Sequence, residues 1–422
     1  MDLVARDQKV IWHPYTQMQN ALPHIPIVRG EGVYLYDQEG KKYIDAVSSW
    51  WVNIHGHAHP HIAQRVASQL QVLEHVIFAG FTHEPAVTLA ERLLPLLPGK
   101  QEKLFYSDNG STAVEVALKM ALQYWNNTER PQKKKILAFK DAYHGDTFGA
   151  MSVSGRSIFT QPFNDFLFDV VFIDLPNQNN ILALQAEISS LHAEVACFIF
   201  EPLVLGAGGM QMYGAPYLDQ LLATCAAHGI LTIADEVMTG FGRTGTYFAC
   251  EQLQNRPDLF CLSKGLTGGT MPMGVTTCNE KVFNAFLSDD KLKTLYHGHS
   301  FTANPVACAA SLASLDLLLE PETLANLDRI KASHQEFFLK IKDHPKVKSV
   351  RQTGTIIALE WETGNDTSYL SSWRDRLYTY FLEKGIVLRP LGNIVYILPP
   401  YVISNEDLTY IYTTIEQALA EL

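Results

Sequence analysis

Three short stretches of this 422-residue chain hold residue types that could act together on a small molecule. The first is Ser107-Asp-Asn-Gly110-Ser111-Thr112, between an apolar strand-like run and a helical one. Free backbone N–H groups and the helix dipole favour an anion there, and Gly110 lets a phosphate approach the backbone. Taken alone, the same residues would equally make a turn and a helix cap. The second is Asp235, at the end of Ile230-Leu-Thr-Ile-Ala. A carboxylate just past a buried strand lies where open α/β sheets bind ligands, and it suits a protonated heterocycle nitrogen or a metal. The third is Lys264, in Leu262-Ser263-Lys264-Gly265 at the end of another apolar run. An amine held among apolar groups has a lowered pKa and can condense with a carbonyl. By itself it would pass for a surface lysine beside a helix cap.

Together the three supply a phosphate cradle, an acid for a pyridine nitrogen and a Schiff-base amine. These are the parts a pyridoxal 5'-phosphate site needs.

The elements that must position them are legible as short apolar runs at 103–107, 136–140, 170–174, 196–201, 230–234, 259–263 and 274–278. Such continuously apolar strands are covered on both faces, which implies an α/β domain with a mostly parallel, seven-stranded sheet. From Ser111 to Trp125 polar residues recur at Ser111, Glu115, Lys119 and Gln123, so a helix with one exposed stripe and a Glu115–Lys119 pair is expected. Beyond about residue 310 a long helical pattern (307–345) leads to a strand (355–361), a helix (368–384), strands (386–389, 394–398) and a helix from 405 capped at Ser404. This reads as a smaller α+β domain. The expected division is 1–55 joining that small domain, 56–310 as the large domain, and 311–422 as the rest of the small one.

Composition bounds the function. Apolar residues make up 47%, charged residues 18%, and the net charge is −11, which excludes a disordered chain and argues against nucleic-acid or membrane-surface binding. Six scattered cysteines without a CxxC pair, no signal-peptide pattern and no apolar run of membrane-spanning length point to the cytoplasm. Lys133-Lys-Lys135 is read as a solvated loop. The run His55-Gly-His57-Ala-His59-Pro-His61 has no nearby acid or cysteine, so no metal site is expected there or elsewhere.

Asp235-Glu-Val-Met-Thr-Gly-Phe-Gly-Arg243-Thr-Gly, Lys264 and Tyr143-His-Gly-Asp146 resemble the class III, fold-type I, pyridoxal-phosphate-dependent aminotransferases over nearly the whole chain. Trp12-His-Pro-Tyr15-Thr16, Ser48-Ser-Trp50-Trp51 and Val116–Trp125 narrow the resemblance. They are similar to the branch that converts 8-amino-7-oxononanoate to 7,8-diaminononanoate in biotin synthesis, usually with S-adenosylmethionine as amino donor. The resemblance implies that Lys264 carries the cofactor covalently, that Asp235 meets its ring nitrogen, that Gly110 and Ser111 hold its phosphate, and that Tyr143 stacks on the ring. It implies Ser300 reaching the phosphate from a second subunit, hence a homodimer with shared sites. Tyr15, Trp50, Trp51, Tyr143 and Gly298 would line the substrate pocket, with Tyr15 also serving catalysis, and Arg389 would meet a substrate carboxylate. Asp146 would be a pocket residue, although it would equally suit a helix N-cap; Glu201 reads as a structural hydrogen bonder, and Arg243 receives no catalytic role. His299-Ser300 and Leu391 depart from the branch's usual residues near the donor pocket and leave S-adenosylmethionine and lysine both open as donors. Another class III transaminase, acting on ornithine, 4-aminobutyrate or an ω-amino acid, is the alternative.

Overall fold

The computed structural model describes residues 2–364 and 366–422. Seven strands form the central sheet: β1 (Lys103–Ser107), β2 (Lys135–Phe139), β3 (Val170–Ile173), β4 (Val195–Phe200), β5 (Leu231–Asp235), β6 (Leu259–Leu262) and β7 (Gly274–Cys278). Their order is β1-β7-β6-β5-β4-β2-β3, with β7 antiparallel to both neighbours and the remaining pairs parallel. Strands β4 to β7 are buried at every position, which is why they are apolar without alternation. Asp235 ends β5 and Lys264 follows β6, so two paired parallel strands deliver the acid and the amine to the same edge.

Helix α1 (Gly110–Asn127) follows β1. Asn109 caps it: the Asn109 side chain accepts from Thr112 N–H, and Asn109 N–H donates to Thr112 Oγ1. The expected Glu115–Lys119 pair does not form. Glu115 instead accepts from Thr147 Oγ1, Gly149 N and Ala150 N, closing the start of helix Phe148–Val153, while Lys119 donates to Tyr296 O. Orphan N–H groups at a helix start bind a carboxylate more strongly than an exposed lysine does. The solvated-loop reading of Lys133 also fails. Lys133 is buried, its amine donating to Val195 O and lying 4.6 Å from the Trp125 ring.

The rest of the chain forms smaller sheets. Ile27–Glu31, Tyr34–Asp37 and Lys42–Asp45 pair in sequence, and Ile386–Val387 adds in parallel to Lys42–Asp45. Val347–Thr353, Ile356–Trp361 and Ile394–Ile397 form an antiparallel three-stranded sheet. The single helix expected over 307–345 is two, Pro305–Leu318 and Pro321–Ile341, because Pro321 has no N–H to donate and holds Glu320 extended.

Between the sheets runs a strained segment that matters for the site. Ser48, Ser49, Trp50 and Trp51 have φ of 51°, 45°, 71° and 74°, four consecutive left-handed residues without a glycine. Each costs about 1–2 kcal/mol in that conformation. Buried Asp45 offsets this by accepting from Ser49 N and Ser49 Oγ at 2.9 and 2.7 Å, while Ser48 Oγ donates to Leu398 O at 2.8 Å. Arg243, buried and without an ion pair among the described residues, donates to Pro399 O (2.7 Å), Trp51 O and Asn53 O (both 3.4 Å). Arg243→Met, which leaves three carbonyls unpaired, is expected to lower unfolding free energy by about 2–4 kcal/mol in denaturant titration. An unchanged midpoint would show that the clamp is dispensable.

Candidate active site

The carboxyl edge of the sheet opens onto a cavity of about 680 Å³ lined by Gly110, Ser111, Tyr143, Asp235 and Lys264, with Trp51 among the walls. All five were singled out in the sequence as cofactor-binding residues, and the fold brings them to one space.

Lys264 starts a short 3-10 turn with φ of 44°. Its amine lies 4.7 Å from the centroid of the Trp51 ring. Burial pushes the amine's pKa down to about 8, against the pull of the Asp235 and Glu201 carboxylates in the opposite direction. A lysine so placed is half uncharged at a pH of about 8 and is a competent nucleophile in that neutral form. Labelling of Lys264 by an aldehyde added to the apoenzyme is therefore expected to rise with pH through about 8 and then level off. A midpoint at the ordinary lysine value would contradict the enclosure.

Asp235 is buried and its Oδ2 lies 2.7 Å from His144 Nδ1, while Oδ1 accepts from Val237 N–H. The imidazole donates to the carboxylate and keeps it oriented towards the cavity. Glu201, also buried and on the lining, accepts from Tyr143 N (2.9 Å) and Gly206 N (3.0 Å); burial pushes its pKa up to about 7. His144 was not among the residues selected from the sequence. Its place beside Tyr143 in the Tyr-His-Gly-Asp motif was the available signal.

The floor of the cavity is backbone. A Cβ on Gly110 would come within 2.7 Å of Val237, and one on Gly145, at φ 130°, within 2.0 Å of Ser111 Oγ. The first-turn N–H groups of Gly110 and Ser111 have no acceptor one turn earlier in the helix. An anion-ready helix start, a carboxylate backed by an imidazole, a half-neutral amine and two flanking aromatics fit pyridoxal 5'-phosphate by donor chemistry.

Tyr15, Trp50 and Arg389 take a different position from Trp51. They line an outer cavity of about 980 Å³. Arg389 stacks on Trp50 at 4.2 Å, and Trp50 meets Tyr15 edge-on at 5.4 Å. The Tyr15 hydroxyl donates to Asp146 Oδ2 and lies 3.2 Å from Tyr143 Oη, so it joins the outer space to the inner one. Burial and the Asp146 charge raise its pKa above the usual phenol value. Asp146 lines the inner cavity and does not cap the helix that follows, whose first turn belongs to Glu115. Gly298 and Ser300 lie outside the lining of their own chain's cavity, and Ser300 is exposed. The histidine run disperses: His55 pairs with Ser314, His57 with Asp45 and His61 with Asp316.

The aminotransferase class-III family profile matches residues 15–419. Among curated proteins, the adenosylmethionine-8-amino-7-oxononanoate aminotransferase of Synechococcus elongatus is 47% identical, with 98% of this chain and 99% of that one aligned. The enzyme of the same name from Geobacter sulfurreducens is 40% identical over 98% and 96%. Among solved structures, the Methanocaldococcus jannaschii enzyme of that name superposes with a TM-score of 0.95 at 35% identity, covering 99% of this chain and 98% of its own. An omega transaminase from Pseudomonas jessenii, solved with PMP, gives 0.93 at 27% identity over 100% and 98%. The chain belongs to the class III aminotransferases, enzymes of the fold-type I architecture that work with pyridoxal 5'-phosphate.

Proposed function

We propose that this protein transfers an amino group to 8-amino-7-oxononanoate, forming 7,8-diaminononanoate for biotin synthesis, with S-adenosylmethionine as donor. The observation that carries the reading is the pairing of two spaces. An inner cavity holds Lys264 and Asp235, and an outer cavity with aromatic residues in its wall includes Arg389. A long apolar acceptor with a terminal carboxylate matches that shape, and the names of relatives up to 47% identical support it. When bound, pyridoxal 5'-phosphate supplies an electron-poor ring that takes up the electron pair freed at the substrate carbon.

The chain's own residues do the rest. Lys264, which would hold the cofactor covalently, would act through its neutral Nζ as the base at the carbon bearing the donor amine and then, protonated, as the acid. Asp235, held by His144, keeps positive charge at the ring nitrogen. Gly110 and Ser111 bind the phosphate through the start of α1. Tyr143 and Trp51 wall the reacting centre, and Tyr15 orients the incoming amine through its bonds to Asp146 and Tyr143. Arg389 grips the acceptor carboxylate with two parallel hydrogen bonds. Arg389→Ala is expected to raise KM for the acceptor about 10- to 150-fold with little change in kcat, since a charge-assisted hydrogen bond contributes about 1.5–3 kcal/mol. Equal KM values would move the carboxylate site elsewhere.

The working form in this reading is a cytoplasmic homodimer. The exposure of Ser300 outside its own chain's cavity is what supports its service, with Gly298, to a neighbouring subunit's site. Segment 1–55 goes with 311–422 rather than with 56–310, supported by the pairing of Lys42–Asp45 with Ile386–Val387. All six cysteines are buried and unpaired, and among the described residues no helix is long and apolar enough to cross a membrane. Incubating the holoenzyme with 8-amino-7-oxononanoate and either S-adenosylmethionine or lysine tests the function. The expected result is diaminononanoate with S-adenosylmethionine. Diamine with lysine alone would correct the donor, and none with either would overturn the reading.

A further inference from the structure

Outside the lining of the inner cavity, Asp7 of helix Leu3–Val10 is the centre of a second convergence of polar groups. Asp7 Oδ2 lies 2.8 Å from His13 Nε2 and 2.9 Å from His24 Nδ1. The two imidazole rings are 3.7 Å apart centre to centre. Both converge on the same carboxylate oxygen instead of taking one oxygen each. Three atoms that can each serve as a metal ligand once deprotonated, all within 4.8 Å of one another, therefore surround one point. The side chains are between 22% and 28% exposed, so a small ion can reach them from solvent.

Two imidazole nitrogens and one carboxylate oxygen are a donor set for a first-row divalent cation, zinc above all. Tetrahedral zinc, with bonds of about 2.0–2.1 Å, sets ligand atoms about 3.3 Å apart. The present contacts are about half an ångström shorter, because protons and not a metal now hold the groups together. Small rotations of the three side chains open the cluster by that amount. We propose that Asp7, His13 and His24 form a zinc-binding site whose remaining position is filled by water. Each ring then binds as neutral imidazole. The proton it now shares with Asp7 moves to its other nitrogen or, from an imidazolium, to solvent.

The placement gives the site a consequence. His13 and His24 bracket the segment that bears Tyr15, and both line the outer cavity with Tyr15, Trp50 and Arg389. A metal bridging them to Asp7 pins that segment to the helix at both ends. The clasp is absent from any simple reading of spacing, since its ligands come from a helix and from two points of an irregular loop.

Equilibrium dialysis of the holoenzyme against zinc chloride, followed by metal analysis, tests the proposal. The wild type is expected to retain about one more zinc ion per chain than D7N or H24A. The doubly conservative H13Q/H24Q variant repeats the comparison should D7N disturb the helix. Zinc is also expected to slow hydrogen exchange over residues 11–26 in the wild type and in none of the variants. No excess zinc on the wild type, or equal retention by every variant, would overturn it.

Discussion

Replacing Lys264 by alanine is expected to lower kcat by on the order of 10⁴-fold and to abolish the near-visible absorbance of covalently held cofactor. Both effects have one origin. Among the described residues Lys264 is the one lysine lining the inner cavity, its amine is enclosed against Trp51, and its pKa of about 8 leaves it partly neutral at working pH. Lys264→Arg separates nucleophile from charge. A guanidinium keeps the positive charge but has no neutral form at accessible pH, so that variant is expected to be equally inactive. A coloured, active alanine variant would remove the lysine from the chemistry. An active arginine variant would show that charge alone suffices.

The second large effect is expected from Asp235→Asn. Asparagine keeps the shape and can still accept from His144 Nδ1, 2.7 Å away, so packing around β5 is retained while the charge is lost. Without it the cavity would no longer hold positive charge at the ring nitrogen of a bound cofactor, and stabilisation of the developing negative charge would fall. A drop in kcat of about 10²- to 10³-fold is the scale of one well-aligned electrostatic contact. A second readout follows from the same charge. Asp235 raises the pKa of Lys264, so in Asp235→Asn the labelling midpoint of the apoenzyme is expected to move below about 8. A variant with near-normal turnover and an unmoved midpoint would place the two groups in separate roles.

How far the sequence could be read depended on the kind of signal each element carried. The central strands were recoverable almost to the residue because β4 to β7 have no exposed position to interrupt their apolar runs. Lys264 and Asp235 followed, since their places at strand ends are fixed once the strands are. Outer elements were harder. Ile27–Glu31 and Val347–Thr353 are polar, partly exposed strands, and neither pattern separates from a loop. Lys133 was misplaced because a basic run ordinarily means solvent, whereas here its amine satisfies carbonyls beside Trp125. Trp50 and Trp51 looked equivalent. A left-handed turn sends one to Arg389 and the other to Lys264, and no residue in Ser-Ser-Trp-Trp announces such a turn. Glu115 and Lys119 had the spacing of a helix pair, but a neighbouring helix start was the stronger claimant for the carboxylate.

The left-handed stretch also dictates when the pocket comes into being. Beside Asp45, it is supported by Leu398 and Tyr396 directly and by Pro399 through Arg243, all three more than three hundred residues downstream of Trp51. A nascent chain emerging from the ribosome can assemble β1 to β7, with Lys264 and Asp235 in place, long before those supports exist. The tryptophan that shields the amine is thus seated only after synthesis nears its end. Cofactor capture by this polypeptide is accordingly expected late in maturation, and truncation before Tyr396 is expected to leave a sheet whose Lys264 lacks the Trp51 shield.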